Sequence, residues 1–112
     1  MRVSEIDTFR PDQGRRFLGL PFRLYRDCPQ WVPPLELDAR RMLDRRAHPF
    51  YRHSQAAFFL AEDNGQDVGR LAVMENTHFN QFNHARCAFF GLFECEQNKD
   101  AALALFEAAF AW

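Results

Sequence analysis

The spacing of apolar positions changes along the chain, and each change predicts where one kind of element gives way to another. Phe17, Leu18, Leu20, Leu24 and Tyr25 recur at helical spacing, which predicts a helix opening at Pro11 with one face turned to a core. Proline suits the first helical turn, where an N–H would have no intrahelical partner. Pro21 lies further in, and its missing N–H and ring clash predict a kink or two short helices between Pro11 and Arg26. Ahead of this helix, Arg2 to Phe9 is expected to hold a short strand anchored by Val3 and Ile6.

Asp27 to Pro34 carries three prolines and is expected to run extended, with Trp31 as its anchor in the core. A second helix from Leu35 to Arg46 would turn Leu35, Met42 and Leu43 inward and its arginines outward, ending at His48-Pro49-Phe50. Two apolar runs, Gln55 to Glu62 and Asp67 to Met74, flank Asn64-Gly65. Both of those residues tolerate the positive φ of a tight turn, so this is a β-hairpin. Glu75 to Arg86 is polar with two isolated phenylalanines and reads as a loop or a short irregular helix. Ala88 to Phe93 forms the next strand. Asn98 or Asp100 then caps a last helix, Ala101 to Trp112, which is apolar on almost every side except at Glu107. Such a helix wants burial on most sides, so the expectation is a chain cut short or a partner that covers it.

These elements make an α/β fold, a small, mainly antiparallel sheet with flanking helices. Residues 1–112 read as a single domain: an N-terminal strand and helices over 1–54, the hairpin over 55–75, and a strand, loop and helix over 85–112. A content of 47% apolar and 15% aromatic residues supports a packed, aromatic-rich core rather than disorder. Net charge is −1, which gives no bulk attraction to nucleic acid. The balance is uneven: through Arg52 the basic residues outnumber the acidic 11 to 7, and afterwards the acids lead 8 to 3. The early arginines are a solvated helix face or meet an anionic ligand.

Cys28, Cys87 and Cys95 are odd in number and lack CxxC or zinc-type spacing, which argues for a reducing compartment. No signal-peptide pattern or membrane-spanning run is visible, so a soluble, cytoplasmic protein without membrane partners is expected. His48, His53, His78 and His84 match no metal-binding pattern, no metal is expected, and Trp31 and Tyr25 read as core residues. The loop after the last strand is the place for chemistry, since a helix N-terminus presents unpartnered N–H groups and the positive end of the helix dipole to an anion.

The ordered strings LPFRLYRD at 20–27, WVPPL at 31–35, HPF at 48–50, FLAE at 59–62, VGR at 68–70 and FFGLFEC at 89–95 resemble a group of bacterial GNAT-like N-acetyltransferases. The resemblance implies a partial GNAT fold, in which a strand and two helices precede a hairpin and a fourth strand leads into a pyrophosphate loop and helix. It implies acetyl-CoA as cosubstrate, a small-molecule or peptide amine as acceptor, and direct attack of the amine on the thioester. The family's loop pattern, Gln/Arg-x-x-Gly-x-Gly/Ala, falls on Gln97, Asn98, Lys99, Asp100, Ala101 and Ala102, with Phe93 beside them on the strand. Asp100 stands where the pattern has its middle glycine and adds a Cβ and a negative charge beside a diphosphate, which Lys99 partly offsets. Glu94 and Glu96 are the candidate bases, or else solvated strand-end carboxylates. GNAT proteins continue with further strands, so the resemblance covers an N-terminal part. A non-catalytic alternative is a module that assembles with itself or with another chain through its sheet edge and last helix.

Overall fold

A computed structural model describes residues 1–30 and 36–112, with the backbone alone for residues 36–39. The expected roles of Trp31 and Leu35 lie outside the described residues; the described part of the stretch expected to run extended, residues 27–30, instead forms turns, with the Cys28 N–H donating to the Tyr25 carbonyl at 3.0 Å. Elsewhere the chain runs β1 (Arg2–Glu5), α1 (Pro11–Leu24), α2 (Glu36–Leu43), a 3-10 turn (Pro49–Arg52), β2 (Gln55–Asp63), β3 (Gln66–Glu75), α3 (Thr77–Asn83), β4 (Phe89–Cys95) and α4 (Lys99–Ala111). The strands form one antiparallel sheet in the order β1-β2-β3-β4, with β1 and β4 at its edges among the described residues.

The period of two in β2 divides the core. Ala56, Phe58 and Leu60 meet Ile6, Phe17, Leu20 and Leu43 on one face, while Ala57, Phe59 and Ala61 meet Leu71, Ala101 and Leu105 on the other. The result is three layers, α1 and α2 over one face of the sheet and α4 over the opposite face. Phe17, Leu60, Leu71 and Leu105 are fully buried, each contributing about 1.5–3 kcal/mol of hydrophobic stabilisation.

The hairpin forms as expected, with Asn64 at φ 53° and Gly65 at φ 76°. Three expectations are corrected. First, of the kink and the two short helices expected at Pro21, the two helices do not form: the first helix runs continuously from Pro11 to Leu24. Secondly, the polar stretch after β3 is not a loop but, as its alternative had it, a short helix: Asn76 accepts from the Phe79 N–H at 3.0 Å, and His84, at φ 52°, ends it in the left-handed region. Thirdly, the second helix stops at Leu43, which is buried, and Met42 is partly exposed rather than turned fully inward.

β4 carries an irregularity that bears on the site. Arg70 faces Glu94 and Ala72 faces Gly91, so two steps along β3 span three along β4. The extra residue is a β-bulge, with Leu92 at φ 55°. A bulge breaks the ladder locally and leaves backbone groups to find other partners.

Candidate functional site

The end of β4, the loop after it and the first turn of α4 come together with the last turn of α1. Asn98 is the cap: its Oδ1 accepts from the Ala101 N–H at 3.1 Å, and its carbonyl accepts from the Ala102 N–H at 3.1 Å. Two of the six loop positions therefore have their N–H groups committed to Asn98, and Ala101 is wholly buried. The anion-binding capacity of this helix start rests on the backbone at Lys99 and Asp100, the exposed Lys99 ammonium and the exposed Gln97. Asp100 lies in the first turn, as its sequence position implies, and opposes that positive field. Phe93 sits outside the loop, its ring 5.1 Å from that of Phe106 on α4.

Both candidate bases are met by α1. Glu94 accepts a hydrogen bond from the Tyr25 hydroxyl. Glu96 receives Arg23 Nη1 at 2.8 Å, while Arg23 Nη2 donates to the Asp67 carbonyl. Tyr25, read from sequence as a core residue, is thus a half-buried hydrogen-bond donor at the site. Its phenol is raised above the ordinary value of 10, first by the bond to Glu94 and then by burial and the charge of that carboxylate, so it remains a donor at neutral pH.

Arg70 supports this corner from beneath. It is buried, with Nη1 2.9 Å from the Phe17 carbonyl and Nε 3.0 Å from the Leu92 carbonyl, and its guanidinium lies 4.8 Å from the centre of the Phe17 ring. Both carbonyls have a clear need for it. In a regular helix the Phe17 oxygen would accept from the N–H of residue 21, which is proline; the Leu92 oxygen lies in the bulge. One side chain therefore satisfies the two backbone defects around the site. Burial lowers the guanidinium from its ordinary value, and Glu94 and Tyr25 act in the opposite direction.

Sequence reasoning placed Glu94, Glu96 and the loop together but missed Tyr25, Arg23 and Arg70 as their partners. For Arg23 and Tyr25 the one available signal was their position in the last helical turn; Arg70 offered none beyond a charge inside an apolar strand. Cys95 is half-buried beside the loop, and burial, with Glu96 adding to it, raises its thiol above the ordinary range. The exposed Cys87 and the stacked pair His53 and His78 belong to other parts of the surface, and no cluster of three metal-ligating side chains occurs among the described residues. Among those residues, too, no helix is long and apolar enough to cross a membrane.

No family model matches the chain, and no solved structure matches it. It is 32% identical over 111 residues to a protein of Caulobacter vibrioides (strain NA1000 / CB15N) named bacterial ceramide synthase, a match over 98% of this chain and 29% of that protein. It is 30% identical over 98 residues to Protein YghO of Escherichia coli (strain K12), covering 88% of this chain and 25% of that protein. The chain therefore spans less than a third of the length of either of these curated relatives.

Proposed function

We propose that this chain is the N-terminal part of a GNAT-type N-acyltransferase that moves an acyl group from a coenzyme A thioester to an amine. The observation that carries the reading is the Glu94 carboxylate, fixed by the Tyr25 hydroxyl at the end of a bulged strand, directly before a loop and helix N-terminus. The resemblance to N-acetyltransferases points to acetyl-CoA as donor. The name of the Caulobacter relative points the same way in reaction type, because a ceramide is an amide of a long-chain amino alcohol. Such an amine is the acceptor we favour.

In this scheme the acceptor arrives as an ammonium and gives a proton to Glu94. Its nitrogen attacks the thioester carbonyl, the C–S bond breaks, and the thiolate leaves and takes up a proton. Tyr25, hydrogen-bonded to Glu94, keeps the carboxylate oriented and offers a route by which the proton is passed on. Gln97, Lys99 and the backbone of Lys99 and Asp100 would hold the diphosphate of the coenzyme.

Calorimetric titration of the folded chain with acetyl-CoA tests the reading. Binding is expected, with loss on Lys99→Glu; no heat of binding from a well-folded sample overturns it for this chain. A second reading, a module that pairs with a second copy of itself, is favoured by one observation. Phe90 on the edge strand is 62% exposed and Phe110 on α4 is 86% exposed. Sedimentation would then reveal a dimer that Phe110→Glu dissociates, and a monomer throughout the micromolar range excludes it.

A further inference from the structure

We propose that a second site, the cleft between the start of α1 and the end of α2, binds a ligand bearing a phosphate group. The cleft measures 530 Å³ and is lined by Arg10, Arg15, Arg40, Arg45 and Arg46, floored by Gly14 and Leu43. These arginines come from stretches of the chain about thirty residues apart, and the fold brings them to one concavity.

Arg15, Arg45 and Arg46 are positioned without an ion pair among the described residues. Arg45 is held by neutral groups: its Nε donates to Thr8 Oγ1 at 2.7 Å, and its guanidinium lies 5.4 Å from the Tyr51 ring centre and 5.6 Å from that of Phe58. Arg46 lies 5.2 Å from the ring centre of Phe9. Stacking on a ring fixes a guanidinium plane and leaves its N–H fork available. Arg15 makes no ion pair among the described residues, and Arg10 approaches Asp12 at 3.5 Å with both side chains more than half exposed. Asp44 is the acid among the described lining residues, and its Oδ1 is committed to the backbone N–H groups of Arg46 and Ala47 at 3.0 and 3.1 Å. The contrast within α1 is sharp. Arg16 and Arg23 are paired with Asp67, Glu62 and Glu96, whereas Arg15 turns to the cleft without an ion pair among the described residues.

A group of guanidinium forks around one concavity matches the oxygens of a phosphate monoester or diphosphate, which accept bidentate hydrogen bonds. The volume far exceeds a bare phosphate, so the ligand carries an attached body. That phosphate comes from a soluble metabolite or from a lipid headgroup. The site is separate from the end of β4, and its test does not depend on acyl transfer.

The test is titration of the isotope-labelled chain with inorganic pyrophosphate, followed by amide resonances. The expected result is saturable shifts at Gly14, Arg15 and Arg46. In Arg15→Gln/Arg46→Gln, affinity should fall about tenfold or more. In the control Arg41→Gln/Arg52→Gln, which removes the same charge from exposed positions outside the cleft, it should change less than about twofold. Equal losses in both variants, or shifts confined to residues 97–100, overturn the proposal. Co-sedimentation with phosphatidylcholine vesicles, with and without phosphatidic acid, separates the sources. Binding to the phosphatidic acid vesicles that needs Arg15 and Arg46 identifies a lipid headgroup, and pyrophosphate binding alone identifies a soluble ligand. If neither binding depends on those two arginines, no such site exists.

Discussion

Arg70, Gly69 and Cys95 occupy neighbouring positions around one corner of the sheet, and each answers to a different physical constraint. Replacing Arg70 with Met keeps much of the volume but removes the donor to the carbonyls of Phe17, which is fully buried, and Leu92, which is half-buried. The expected cost is about 3 kcal/mol in chemical denaturation, since each buried acceptor left unsatisfied costs about 1–3 kcal/mol. A loss under 1 kcal/mol would mean that water reaches both oxygens. Gly69 is constrained by closeness rather than by its backbone angles. A Cβ there would sit 2.9 Å from Leu105 Cδ1, 3.0 Å from Cys95 Sγ and 3.4 Å from the Glu94 carbonyl oxygen. Gly69→Ala must displace the end of the Leu105 side chain and the Cys95 thiol in a packed corner, and is expected to destabilise by about 1–3 kcal/mol, the usual range for overpacking. Cys95, held protonated by burial and Glu96, should react with iodoacetamide at pH 8 far more slowly than the exposed Cys28 and Cys87. Mass spectrometry of partly alkylated protein reads this directly, and early modification at Cys95 would show that the β4 to α4 corner opens readily.

At the scale of elements, α1 raises the question of how a helix carries an internal proline. Pro21 deprives the Phe17 carbonyl of its donor, and Arg70, 53 residues away in sequence, supplies the replacement. This dependence predicts non-additivity. In the Arg70→Met background, Pro21→Ala returns an N–H to the Phe17 oxygen and should recover about 1 kcal/mol relative to the same substitution in the parent, where that acceptor is already occupied. Purely additive effects would separate the two residues. The same pair explains what was legible in the sequence. The hairpin was, because Asn64-Gly65 and the runs beside it are local and agree with one another. The α4 cap, narrowed to Asn98 or Asp100 and found at Asn98, and the position of Glu94 before the loop were legible for the same reason. The unbroken α1 was not, because the group that tolerates Pro21 lies on β3. Nor was the bulge: Leu92 carries no glycine or asparagine to announce a positive φ, and its carbonyl is again satisfied by Arg70. The Tyr25 and Glu94 pairing joins α1 to β4 over 69 residues, beyond any periodicity.

For the molecule as a whole, the sheet separates two cores, and both tyrosines lie on the α1 and α2 side. Tyr25 ties the end of α1 to β4 through Glu94, and the Tyr51 hydroxyl donates to the Met42 carbonyl at 2.6 Å, tying the 3-10 turn to α2. Both phenols are raised above 10, Tyr25 chiefly by its bond to Glu94 and Tyr51 chiefly by burial, partly opposed by Arg45. A group whose folded-state value exceeds its unfolded value binds its proton more tightly when folded. Its contribution is therefore complete below the unfolded value and is lost as pH rises through the folded one. Alkali should for that reason loosen the α1 and α2 layer through its two phenols, while the α4 layer answers through one group, the Cys95 thiol packed with Leu105 and Ala101 and likewise raised by burial. Tyrosinate absorbance should rise at higher pH than for free tyrosine, and hydrogen exchange, corrected for its intrinsic rate, should lose protection in α1 as those phenols ionise. Tyr51→Phe gives up one hydrogen bond at neutral pH, about 1 kcal/mol, but should lose stability less steeply than the parent as the pH passes 10. Parallel stability curves for the two proteins would mean that Tyr51 ionises only after the layer has already opened.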